Sequence, residues 1–191
     1  MNQLNKGGLS MKLRSIQWIQ FCLLVVAMIS GGCAPKEQEA AAPTLERIEN
    51  SSLAIAIAAL PADFEVAAGE GQTIELQSIG EVGGGTLLIE ATEELTGGIN
   101  LVAAAEGMKD WFEQQPDGQY FGNLELGTPT GPAFTARGSY STDGVEVEEL
   151  RVFSLHPTAN RMIRMTFRYP PGEGKIRMQQ LVAVLGEIEA L

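Results

Sequence analysis

The stretch from Phe134 to Tyr169 leaves this chain little choice of architecture. Phe134, Ala136, Gly138 and Tyr140 alternate with Thr135, Arg137 and Ser139, and Asp143-Gly144 follows directly. After that turn come Val145–Leu155 and Asn160–Tyr169, the latter with Ile163, Met165, Phe167 and Tyr169 on one side and Arg164, Thr166 and Arg168 on the other. Period two describes a strand with one buried face. Asp-Gly between two such runs is a hairpin signal, because both central residues of a type I′ turn need positive φ. Hairpin-length connections imply an antiparallel sheet, and a one-sided sheet needs a second layer to cover its apolar face.

The flanking segments supply that layer. Leu53-Ala-Ile-Ala-Ile57 reads as a short apolar strand, and Leu60–Val66 continues extended past Pro61. Thr73–Ser78 and Thr86–Ala91 are further strands, joined by the glycine-rich Gly80–Gly85. From about Asn100 to Gln115 the period changes: Leu101, Ala104, Ala105, Met108, Trp111 and Phe112 share one helical face, stopped by Pro116-Asp117-Gly118. Tyr120–Leu126 begins four consecutive strands. Pro170-Pro171-Gly172 ends them, and a last helix runs from about Glu173 to Glu189 with Leu181, Val184, Leu185 and Ile188 as its apolar stripe. The expectation is an α+β fold in one domain over 51–191: a mainly antiparallel sheet of about six to seven strands packed by two amphipathic helices.

The first 32 residues differ in kind. They carry Lys6, Lys12 and Arg14, no acidic residue, and the apolar run Phe21–Ile29, then Ser30-Gly31-Gly32-Cys33. A basic start, a short apolar run and small residues before a cut site describe a secretory signal. The run falls short of the roughly 20 apolar residues that a spanning helix needs. Met11 also begins a signal of more usual length, so a start at either methionine is open. The ending resembles the lipobox of bacterial lipoproteins, although Ser30 stands where that motif usually has leucine. The resemblance implies cleavage before Cys33, lipidation of Cys33 and attachment to a membrane. If the host has two membranes, Ala34 is compatible with the outer one, on its periplasmic face. An ordinary secretory signal with a chance cysteine is the alternative.

Removing such a leader leaves ten cations against 24 acidic residues, a net charge of −14, in a 159-residue chain. A surface of that sign repels phosphate backbones and anionic headgroups, which excludes nucleic acid as a partner and leaves the lipid as the membrane contact. Cys22 falls in the leader, so no thiol remains for a disulfide and stability must come from a core. Ala34 to Asn50, rich in Ala, Glu and Pro, reads as a tether.

The order strands, helix, four strands, helix, with the opening Leu60-Pro61-Ala-Asp-Phe64 and the closing strand plus amphipathic helix, resembles the fold shared by the PsbP family of photosystem accessory proteins and a Ran-binding nuclear import factor. The resemblance covers roughly 51–191 and implies accessory and binding roles. Fold alone assigns no function.

Side chains that could carry chemistry are few. His156, the single histidine, precedes Pro157 and has no triad or zinc partners in its neighbourhood; it reads as a half-exposed turn residue. Gly80–Thr86 lacks the Lys-Ser/Thr ending of a phosphate loop and leads into a strand. Glu146, Glu148 and Glu149 read as a solvated strand face, with a bulge at Glu148-Glu149. Trp111 and Phe112 read as core, whereas Tyr120, Phe121, Phe134, Tyr140 and Tyr169 fit either packing or a groove.

The cations are distributed less evenly: seven of the ten fall in the last 55 residues. Arg137, Arg151, Arg164 and Arg168 form a candidate anion-binding stripe, since guanidinium forks suit carboxylates and phosphates. Cross-strand pairing with the glutamates is the competing explanation, and arginines each capped by a glutamate would favour it. The expected function is a lipid-anchored, non-enzymatic domain in the cell envelope, needing no cofactor or metal and acting on a protein partner. A binder of a small anionic or apolar ligand is the alternative.

Overall fold

The computed structural model describes residues 46–80 and 84–191, all within the compact unit Pro43–Leu191. Cys33, most of the tether and the middle of the glycine loop lie outside the described residues. In chain order the elements are β1 (Ile48–Asn50), β2 (Ile55–Ile57), β3 (Phe64–Ala68), β4 (Thr73–Ser78), β5 (Thr86–Ala91), α1 (Leu101–Glu106), α2 (Met108–Glu113), β6 (Gln119–Thr128), β7 (Gly131–Thr142), β8 (Val145–Leu155), β9 (Met162–Tyr169), α3 (Gly174–Gly186) and β10 (Ile188–Ala190). Seven strands form one sheet in the order β3-β4-β5-β9-β8-β7-β6, with every neighbouring pair antiparallel. A second, three-stranded sheet has the order β1-β2-β10. The expected α+β architecture is therefore present, with seven strands in the main sheet.

Strand parity divides the interior in two. On one side of the large sheet Leu76, Leu87, Ile89, Leu150, Val152, Ile163, Met165 and Phe167 meet Leu181, Val184 and Leu185 of α3, together with Ile55 and Ile57 of the small sheet. On the other side Leu101, Ala105, Met108 and Phe112 pack on Ala136, Tyr140 and Phe153. Each fully buried side chain of this kind contributes about 1.5–3 kcal/mol by leaving water. The β7–β8 hairpin turns at Asp143-Gly144, with φ of 52° and 77°, as the dipeptide demands. Phe112 lies against the backbone of Gly138: a Cβ there would stand 2.6 Å from the ring and clash with the Gln119 carbonyl.

Several local expectations need correction. Strand structure begins at Ile48, inside the stretch read as tether, because Ile48 and Asn50 are buried and Asn50 Oδ1 accepts from the Leu53 amide at 2.9 Å. Leu53 is in a turn, Ala54 takes φ 55°, and the second segment is strand only from Phe64. The helix read over 100–115 is two short helices meeting at Gly107. The last helix ends at Gly186, and Ile188 is buried in a strand opposite Ile57. No bulge occurs at Glu148-Glu149, where the register runs on unbroken; the shifts lie at Val66/Ala68 and Tyr120/Gly122.

Candidate functional site

Parity on β8 places Glu149 and Arg151 with Phe153, on the side covered by α1 and α2. Parity on β9 places Arg164, Thr166 and Arg168 on that same side, opposite Phe153, Arg151 and Glu149 respectively. The two helices pack on β6, β7 and β8. Their side of β4 and β5 carries Glu75 and Gln77, Thr86, Leu88 and Glu90, all half-buried. The result is a step, with a covered half and a polar half meeting at the arginines.

Glu149 stands at that junction and is 0% exposed, so it is no part of a solvated face. Its Oε2 accepts from Tyr140 Oη and from Arg168 Nε, each at 2.8 Å, and its Oε1 accepts from Arg151 Nε. A buried carboxylate persists only with such partners, because desolvation of an unpaired charge costs several kcal/mol. Arg151 lies 3.8 Å from the centre of the Trp111 ring and donates to Met108 Sδ. Burial, then Glu149, pushes the Tyr140 hydroxyl above its ordinary pKa, and the Glu149 hydrogen bond does the same for Arg168. Arg164 grips Glu90 through Nε at 3.0 Å and Nη2 at 2.7 Å. Three arginines thus face two glutamates. The Arg168 side chain is half exposed, and its guanidinium interacts with the Tyr140 hydroxyl as well as with Glu149.

The fourth candidate, Arg137, lies on the opposite side, toward α3. Its guanidinium sits 5.2 Å from the Phe121 ring centre, and its Nη1 and the Glu148 Oε2 crowd the place where a Gly174 Cβ would stand. The structure therefore brings Arg151, Arg164 and Arg168 together and leaves Arg137 apart, because adjacent parity on β7 and β8 sends Arg137 and Arg151 to different faces.

Besides Glu149, the burial of Arg177 escaped sequence reasoning. Arg177 is 0% exposed; it pairs with Glu173 at 2.6 Å and donates to Ser78 Oγ at 2.7 Å and Gln180 Oε1 at 3.0 Å. The signal was present, since Arg177 falls on the helical stripe of Leu181, Val184 and Leu185. Tyr169 is also buried, and its hydroxyl finds no acceptor in hydrogen-bond geometry among the described residues. Burial, reinforced by Glu148, pushes that hydroxyl far above its ordinary pKa. His156 is buried too, 5% exposed rather than half exposed. Its Nδ1 accepts from the Thr158 and Ala159 amides, and its Nε2 donates to the Leu53 carbonyl at 3.0 Å. The ring locks a turn to the small sheet and holds no nitrogen ready to act as a base. Among the described residues, no group of three or more His, Cys, Asp or Glu is placed to hold a metal.

An antiparallel sheet packed by helices in this order is an α+β domain. No family model and no curated protein matches the chain. Among solved structures, it is similar to LpqN of Mycobacterium tuberculosis, described as involved in cell envelope biogenesis, at 15% identity and a TM-score of 0.52, covering 78% of this chain and 86% of that one. It is also similar to the cyanobacterial PsbP of Synechocystis sp. PCC 6803, at 9% identity and a TM-score of 0.52, covering 85% of this chain and 99% of that one. At such identities the likeness establishes the fold.

Proposed function

We propose that this chain is a non-enzymatic accessory domain of the cell envelope, held to a membrane by a lipid on Cys33 and acting through contacts with a protein partner. The Ser30-Gly31-Gly32-Cys33 ending behind a basic and apolar leader supports the address. The envelope role described for LpqN, a protein of like fold, is consistent with it. The observation that carries the protein-contact reading is the polar half of the large sheet. Its arginines are already held in place by Glu149 and Glu90, so it presents a fixed charge pattern rather than flexible side chains. Small ligands favour concave, mostly apolar sites, whereas macromolecular surfaces match such patterned polar faces.

Photo-crosslinking groups placed at Gln77 and Leu88, with Val182 on α3 as control, test this in native membranes. A discrete protein adduct from either sheet position, absent from the control and lost in Cys33→Ala, is the expected result. Equal labelling from all three positions, or none from any, overturns it. A second reading, binding of a small anion, is favoured by the half-exposed side chain of Arg168 beside Arg164. A phosphate or acetate titration that shifts the Arg168 and Trp111 side-chain resonances in saturable fashion would support it.

A further inference from the structure

The open edges of the two sheets are not equivalent. Among the described residues, β1 and β10 are three residues long and carry the ion pairs of Arg47 with Glu49 and Glu189. β3 has five residues, a register shift between Val66 and Ala68, and a charge at Glu65. Short length, irregularity and charge are the usual protections of an edge strand, whose free N–H and C=O groups otherwise invite another strand. β6 has few of them. It runs for ten residues, carries Glu125 as its only charge and no proline, and among the described residues pairs only with β7. Its one irregularity, at Tyr120/Gly122, lies at the start and leaves Gly122–Thr128 in unbroken register. Phe121 and Leu124, 43% and 54% exposed, lie on this strand.

We propose that β6 is a strand-docking edge that receives an extended segment of a basic partner protein, adding an eighth strand to the large sheet; the proposal goes beyond the polar face, at the far edge of the same sheet, and rests on the protein-contact reading only for the existence of a partner. The register assigns the side chains. Leu124 and Leu126 pair with Thr135 and Ala133, and Phe121 leans toward Arg137, all on the α3 side. Asn123 and Glu125, paired with Ala136 and Phe134, face the other way. A docked strand would therefore meet apolar groups on one face and an asparagine and a carboxylate on the other. Residues of alternating apolar and cationic type complete that pattern through cross-strand pairs. A second copy of the chain fits poorly, since it would bring together two bodies of net charge −11 over the whole sequence, and more negative without the leader.

The test uses blocked ten-residue peptides added to the folded chain: one alternating valine and lysine, one alternating valine and glutamate, and a valine-lysine peptide N-methylated at alternate positions. Amide hydrogen exchange is read strand by strand. The valine-lysine peptide is expected to slow exchange in Gly122–Thr128 and not in β3, while the other two peptides do not. A Phe121→Lys/Leu124→Lys variant is expected to weaken that peptide about tenfold, with exchange in β8 and β9 unchanged as evidence of an intact fold. Equal protection by the N-methylated or acidic peptide would overturn the proposal, as would protection confined to β3 or no protection at all. A concentration-dependent dimer with protected β6 amides would assign the edge to a second copy instead. Membrane adducts from Gln77 or Leu88 but not from Leu124 would leave the partner reading standing and remove strand docking alone.

Discussion

Glu149 shows how one buried residue organises a surface. Replacing it with alanine leaves Arg151, Arg168 and the Tyr140 hydroxyl without their shared acceptor. Breaking a buried pair on one side costs about 3–5 kcal/mol, so Glu149→Ala should lower the urea midpoint strongly. Tyr169→Phe should do the reverse or nothing, because its buried hydroxyl has no acceptor in hydrogen-bond geometry among the described residues, and burying such a group costs about 1–3 kcal/mol. The tyrosines also set an alkaline limit. Tyr140 and Tyr169 have folded pKa values above the unfolded one, so the unfolded chain gives up these protons first. The stability they hold is complete below about pH 10, the unfolded tyrosine value, and declines as pH rises above it. Urea midpoints between pH 8 and 11 should show that decline, and Tyr140→Phe and Tyr169→Phe should each flatten it. Neither buried charge was found from sequence, although parity was available for both: Glu149 shares a face with Phe153, and Arg177 shares a stripe with Leu181. Reading the glutamates as a run and the arginine as one of many cations hid them, because charge type was weighed before position.

At the level of elements, β4, β7 and β9 were legible because each carries the alternation that its burial requires, and Asp143-Gly144 pins one hairpin, whereas β3 shows no such alternation and its start was misplaced. The small sheet was not, since three residues such as Ile48–Asn50 or Ile188–Ala190 are too short to show a period, and their burial comes from distant partners. The helical stretch before β6 was legible as a face but not as two pieces, because Gly107 breaks the helix without breaking the apolar stripe. That layer depends on close approach at Gly138. A Cβ there meets the Phe112 ring at 2.6 Å and the Gln119 carbonyl, both of which belong to packed elements. Gly138→Ala should therefore cost about 1–3 kcal/mol in urea unfolding, as overpacking does. Gly127→Ala, with nothing within 4 Å of its Cβ position, should cost clearly less.

For the whole molecule, the proposed account joins a membrane address, read from the residues up to Cys33, to an acidic α+β domain. Of the candidate anion stripe, the sequence made Arg164 and Arg168 legible as neighbours, since they share parity, whereas Arg151 needed the β8–β9 register. Arg137 could not be placed without the β7–β8 register. The central claim, that the domain works at a membrane through Cys33, is open to one direct measurement: the intact mass of the protein recovered from the membrane fraction of its native host, beside Cys33→Ala. The expected result is a chain that begins at Cys33 and carries acyl mass, with the variant lacking that mass and leaving the membrane. An unmodified chain recovered as a soluble protein would contradict the claim and move a diffusible ligand carrier to first place.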